Sequence, residues 1–84
     1  MGLPSILTQP QPLNLAAGNN ATFSVTAADA VSYQWQKNGA NISGANSATF
    51  TLTNVQLADA ATYRVIVTNA AGTVTGNGAV LTVN

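Results

Sequence analysis

From Ala21 to Ala27 the chain reads ATFSVTA, with Ala21, Phe23 and Val25 on one parity and Thr22, Ser24 and Thr26 on the other. Alternation with a period of two marks a strand that buries one face, and it dominates this sequence. Nowhere do apolar residues recur at i, i+3, i+4 and i+7 over the length of a helix. The pattern predicts an all-β chain. Pro4 to Gln9 (PSILTQ) reads as a short first strand. Pro10 and Pro12, which cannot donate to a ladder, mark an edge or a switch between sheets. LNLAAG follows, alternating Leu13 and Leu15 and ending at a Gly18-Asn19-Asn20 turn. Asn38-Gly39 stands between two extended runs and predicts a type I′ hairpin, whose two central residues both need positive φ. SGANSA is a loop, TFTLTNV a strand with Phe50 and Leu52 inward, and QLADA a corner. The remainder gives two strands joined at Asn69 to Gly72. About seven short strands with frequent turn signals predict a sandwich or barrel rather than a βαβ fold. No internal repeat or linker divides residues 1–84, so the expectation is a single domain.

Composition narrows the function classes. Hydrophobic residues make up 46% of the 84 positions and charged ones 5%, with Lys37 and Arg64 balanced by Asp29 and Asp59. Nucleic-acid binding rests on clustered basic residues that release counterions, and two cannot make such a patch. No apolar run approaches the about 18 residues that would insert in a membrane as a helix. The polar surface must consist of Thr, Ser, Asn and Gln, which favours an extracellular or cell-surface setting over the cytosol, where Lys and Glu usually keep surfaces soluble. The absence of cysteine excludes a disulfide framework and a thiolate metal site. MGLPSIL lacks the basic segment and long apolar core of a signal peptide, so Met1 and Gly2 read as an added start on a module cut from a longer chain.

Trp35 in YQWQKNG, Asp59 and Tyr63 in DAATYRV, and the Asn38-Gly39 hairpin together resemble an immunoglobulin-like domain. The likeness is nearest to intermediate-type domains and to cysteine-free versions that occur as repeats in large bacterial secreted proteins, and it covers nearly the whole chain. It implies a two-sheet antiparallel Greek-key sandwich without a disulfide. In that family a tryptophan packs on an inter-sheet cystine, and a corner tyrosine stands two positions before the second cysteine. By this likeness Trp35 is the core tryptophan and Tyr63 the corner tyrosine. Val65 then takes the second cysteine position, with Val25 as its partner. Ala61 departs from the family's Asp-x-Gly-x-Tyr run. Loss of a native disulfide costs a small domain about 2 to 5 kcal/mol. Valines packed on Trp35 return part of that, at about 1.5 to 3 kcal/mol for each fully buried large apolar side chain. The residues alone agree: Tyr63 has inward parity, so its hydroxyl needs a buried acceptor, a main-chain carbonyl of the preceding corner. Asp59 in that corner can accept backbone N–H groups and fix the turn. The expected core is Trp35, Val25, Val65, Tyr63, Phe23, Phe50 and Leu52, with Asp59 at the corner.

Catalysis needs a poised proton carrier or an activated nucleophile, and the chain has no His, Cys or Glu. Asp29 and Asp59 fall in loops that the family arrangement sets at opposite ends. A calcium site would need six to eight oxygens around at most one carboxylate. A self-formed amide between Lys37 and an asparagine requires an inward lysine beside a buried acid; the plainer reading lays the Lys37 stem over apolar surface with its amine in water. Asn20 (NAT) and Asn41 (NIS) match the glycosylation pattern, which chance supplies readily in an Asn-, Ser- and Thr-rich chain. Trp35, Tyr33, Tyr63, Phe23 and Phe50 all have inward parity, which leaves no sugar-stacking platform unless Tyr33 is partly open. No cofactor or metal is expected.

The resulting expectation is a non-catalytic spacer or adhesion module of a larger extracellular, bacterial protein, with neighbouring domains as its partners. Two alternatives stand beside it: a recognition module holding a protein or glycan through the end loops AADAVS, GANSA and NAAG, and an engineered or consensus-like scaffold. Sparsely charged edge strands predict a monomer with weak edge association.

Overall fold

A computed structural model describes residues 2–84; Met1, read above as an added start, lies outside them. β1 (Ser5–Thr8) pairs antiparallel with β4 (Thr26–Ala28), and β3 (Ala21–Ser24) with β7 (Thr49–Leu52). β3 and β4 are two halves of one extended run interrupted at Val25, whose N–H still bonds Ala48 O at 3.0 Å. One half serves β7 and the other β1, so these pieces make the first sheet. The second sheet runs in the order β2 (Leu13–Leu15), β10 (Ala79–Val83), β8 (Ala61–Asn69), β5 (Ser32–Lys37), β6 (Ala40–Asn41), with β9 (Gly72–Thr75) also on β8. The chain changes sheets between β1 and β2, across Pro10 and Pro12, where no ladder donor is lost. Its arrival on β10 is parallel, Leu13 opposite Leu81 and Leu15 opposite Val83.

β9 and β10 share one flank of β8. Thr75 pairs with Ile66 and Ala79 with Tyr63, so four steps on one strand face three on the other. The extra residue is absorbed at Gly76-Asn77-Gly78, where Gly76 N–H bonds Val65 O at 2.8 Å. The final strand is therefore bulged rather than continuous, a break the alternation did not announce. At the predicted hairpin, Lys37 pairs with Ala40, and Asn38 and Gly39 take φ of 51° and 87°. Both are positive, as a two-residue turn matched to strand twist requires.

The layers close on Ala21, Phe23, Val25, Trp35, Val55, Tyr63, Val65, Val67, Ala79 and Leu81, all buried. Alternation puts β8 residues Tyr63, Val65 and Val67 inward while Thr62, Arg64 and Ile66 face out. The outer face is partly sealed as well. Gln36 is buried although its parity points outward, because its amide donates to Asn41 Oδ1 (2.8 Å) and accepts from Arg64 Nε (2.9 Å) across the neighbouring strands.

Candidate functional site

The centre of the molecule is a square of four rings drawn from both sheets. Phe23 and Phe50 sit opposite each other in the β3·β7 register, while Trp35 and Tyr63 come from adjacent strands β5 and β8. Across the layers, Phe23 stacks on Tyr63 with centroids 5.2 Å apart, and Trp35 stacks on Phe50 at 5.9 Å. The tilted contacts Phe23–Trp35 (6.3 Å) and Phe50–Tyr63 (5.8 Å) complete it. Aromatic pairs at such spacing contribute about 0.5 to 1.5 kcal/mol each beyond their buried area. Val65 lies directly beside Trp35 in the same sheet, and Val25 is buried in the other layer. Both valines are thus buried, and the rings supply the contacts that span the layers where a bridge is absent. Phe50 and Leu52 are only half-buried, because β7 is the outermost strand of its sheet. The Trp35 indole N–H donates to Ser47 O at 2.7 Å, which pins the following loop against the core.

The corner is a 3-10 turn, Leu57–Asp59, held by Asp59. Its Oδ2 accepts the N–H of Gln56 at 2.8 Å, and its main-chain carbonyl accepts the Tyr63 hydroxyl at 2.7 Å. Burial, and secondarily the charge of Asp59, push the Tyr63 phenol above its ordinary 10.0. Lys37 reaches across to donate to Ala58 O at 3.2 Å, so its amine caps this corner rather than meeting an asparagine. Asn20 and Asn41 each use Oδ1 as an acceptor, from Asn54 N–H (3.1 Å) and Gln36 Nε2 (2.8 Å).

Asp29 and Asp59 are not brought together. Asp29 O is bonded by Asn69 Nδ2 at the end of β8, and Asp59 precedes its start. Nine strand residues, about 27 Å of rise, separate them. Among the described residues no group of three or more His, Cys, Asp or Glu is gathered. Two of the three candidate recognition loops do meet, because the buried Asn69 amide donates to Gly2 O and Asp29 O (both 3.0 Å) and accepts from Ala71 N–H (2.8 Å). The third, GANSA, does not join them. Ala45 O accepts Trp35 N–H and Ala48 O accepts Val25 N–H, which hold that loop at mid-height beside β5 and β7. The Asn69 clasp was not read from the sequence: one asparagine among many in turns has no distinguishing neighbour pattern.

The model of the immunoglobulin domain family matches residues 4–69. The chain belongs to that family. Among solved structures, the titin M10 and obscurin-like 1 immunoglobulin complex contains a chain 25% identical, with a TM-score of 0.85 over 99% of this chain and 94% of that one. The titin M3 domain is 20% identical, with a TM-score of 0.86 over 100% and 99% of the two chains. The N-terminal Ig1-2 module of the Drosophila receptor protein tyrosine phosphatase DLAR is 19% identical, with a TM-score of 0.85 over 96% of this chain and 45% of that one. This immunoglobulin domain therefore spans a little under half of that module. No curated protein matches the chain.

Proposed function

We propose that residues 1–84 form one non-catalytic immunoglobulin module, a spacer or adhesion unit carried between neighbouring domains of a longer, secreted bacterial polypeptide. The observation that carries this reading is the placement of Gly2 and Asn84 at the two ends of β8. Gly2 O is clasped by Asn69 at one end of β8, whereas Asn84, bonded through its N–H to Leu15 O at 2.8 Å, lies past the other end. Gly2 and Asn84 thus sit at opposite poles of a body 44 Å long and 22 by 16 Å across. A chain threaded through such a body is loaded along its long axis. Pulling Gly2 toward one pole and Asn84 toward the other slides β1 along β4 and β2 along β10, so the bonds of each pair resist together in shear. The tandem immunoglobulin repeats of Dlar support a place in a string of like domains. The nearly uncharged surface of Thr, Asn and Ser supports the extracellular setting. The scarcity of titratable side chains supports the non-catalytic reading.

Single-molecule pulling on a tandem of this module tests it. We expect one discrete unfolding peak per module, lowered by Asn84→Pro, which removes the donor to Leu15 O. Unfolding without a peak would refute the load-bearing spacer. A second reading, recognition through one pole, rests on the exposure of Leu3 (53%) and Val31 (77%) beside the Asn69 clasp. Binding of a glycan or protein that is lost in Val31→Asp would favour it.

A further inference from the structure

β7 is paired on one side only. The bond from Val25 N–H to Ala48 O sets the phase of its ladder. Bonded pairs alternate with unbonded ones along an antiparallel register, so Phe23–Phe50 and Ala21–Leu52 are bonded, and Ser24–Thr49 and Thr22–Thr51 are not. The main-chain N–H and C=O of Thr49 and Thr51 therefore point away from β3. Among the described residues no hydrogen bond reaches them. An open depression lies along this edge, lined by Ser43, Gly44, Asn46, Thr49, Phe50 and Thr51. The devices that usually blunt a free edge are absent: β7 carries no proline and no bulge, and no charged residue occurs between Lys37 and Asp59.

We propose that this edge is a self-association site, pairing antiparallel with the same edge of a second copy of the chain about a two-fold axis at Phe50. Thr49 then exchanges two hydrogen bonds with Thr51 of the second copy, and the symmetric pair exchanges two more. A second copy is the fitting occupant because the match is self-generated. Each edge offers donors and acceptors two residues apart in an order that the two-fold reverses onto itself. Threonine meets threonine on the outer face and Phe50 meets Phe50 on the inner, both favourable cross-strand pairs. The chain's zero net charge leaves no long-range repulsion between copies. The two sheets then become one continuous sheet across the dimer, by the same physics that adds a peptide strand to an open edge. The site goes beyond the spacer reading and does not depend on it. Strands of four residues make the association weak, so it operates where copies are concentrated.

Analytical ultracentrifugation from about 10 μM to about 1 mM covers the weak range, in which every tenfold in Kd is about 1.4 kcal/mol. The expected result is a monomer–dimer equilibrium lost in Thr51→Lys and in Thr51→Pro. Proline there removes only the outward N–H and leaves the β3 ladder intact. The exposed Thr73→Lys on β9 is expected to dimerise as the parent does. Amide exchange at Thr49 and Thr51 slows with rising concentration. Strictly monomeric behaviour throughout, or dimers that survive both Thr51 variants, overturns the proposal. So does slowed exchange on adding an unrelated extended Thr- and Val-rich peptide but not on raising the chain's own concentration, which would assign the edge to a peptide partner.

Discussion

Tyr63 joins three kinds of interaction in one side chain: ring stacking on Phe23, an inward β8 position, and a hydroxyl bonded to Asp59 O. Removing only the hydroxyl, in Tyr63→Phe, is expected to lower stability by about 1 kcal/mol, the usual net worth of one such bond, as read from urea unfolding at neutral pH. The same variant carries a pH signature. The folded phenol holds its proton above the unfolded value of 10.0, first because it is buried and then because Asp59 is near. Its contribution is complete below 10.0 and is lost as pH rises through the raised folded value, since the unfolded state there binds fewer protons. Stability of the parent should therefore fall more steeply than that of Tyr63→Phe in alkaline buffer, and parallel curves would refute the assignment. Val65 tests the other half of the core. Val65→Thr keeps the shape but buries a hydroxyl beside Trp35 with no partner, so a loss of about 1 to 3 kcal/mol is expected in the same measurement.

The β5·β6 hairpin depends on backbone conformation rather than space. A Cβ on Gly39 would meet nothing closer than Arg64 Nη2 at 3.8 Å, yet its φ of 87° is one that L side chains rarely adopt. Gly39→Ala is expected to cost about 1 kcal/mol, visible as a lower urea midpoint with an unchanged slope. The bulge in the last strand works the other way. A Cβ on Gly78 would fall 2.7 Å from Thr62 Cγ2, so crowding, not φ, selects glycine there. The hairpin was legible because Asn-Gly encodes its own turn. The bulge was not, because the clash comes from a strand sixteen positions away in sequence.

For the whole molecule, two small sheets are held face to face without a covalent link, and among the described residues the four rings Phe23, Trp35, Phe50 and Tyr63 join the layers, with Tyr33 partly buried at the margin of the core. Phe23→Ala should cost about 3 to 5 kcal/mol, a large share of the 5 to 15 kcal/mol typical of a domain. Fluorescence of the single tryptophan, Trp35, reports it: emission should shift to the red at lower denaturant than in the parent, and an unmoved transition would remove the ring square from the account. The sequence by itself determined the β class and the hairpin, and it pointed to the corner around Asp59 and Tyr63 and to an inward set led by Trp35, of which Phe50 and Leu52 are only half-buried. These follow from alternation and turn chemistry, which act over a few residues. Only the tertiary structure decided that Phe23 faces Tyr63 across the layers, that Asn69 clasps the first residues, that GANSA sits at mid-height, and that β7 is left with a free edge. Each of these depends on which strands become neighbours, and that choice is made by the joint burial of residues far apart in the chain, beyond the reach of any local pattern.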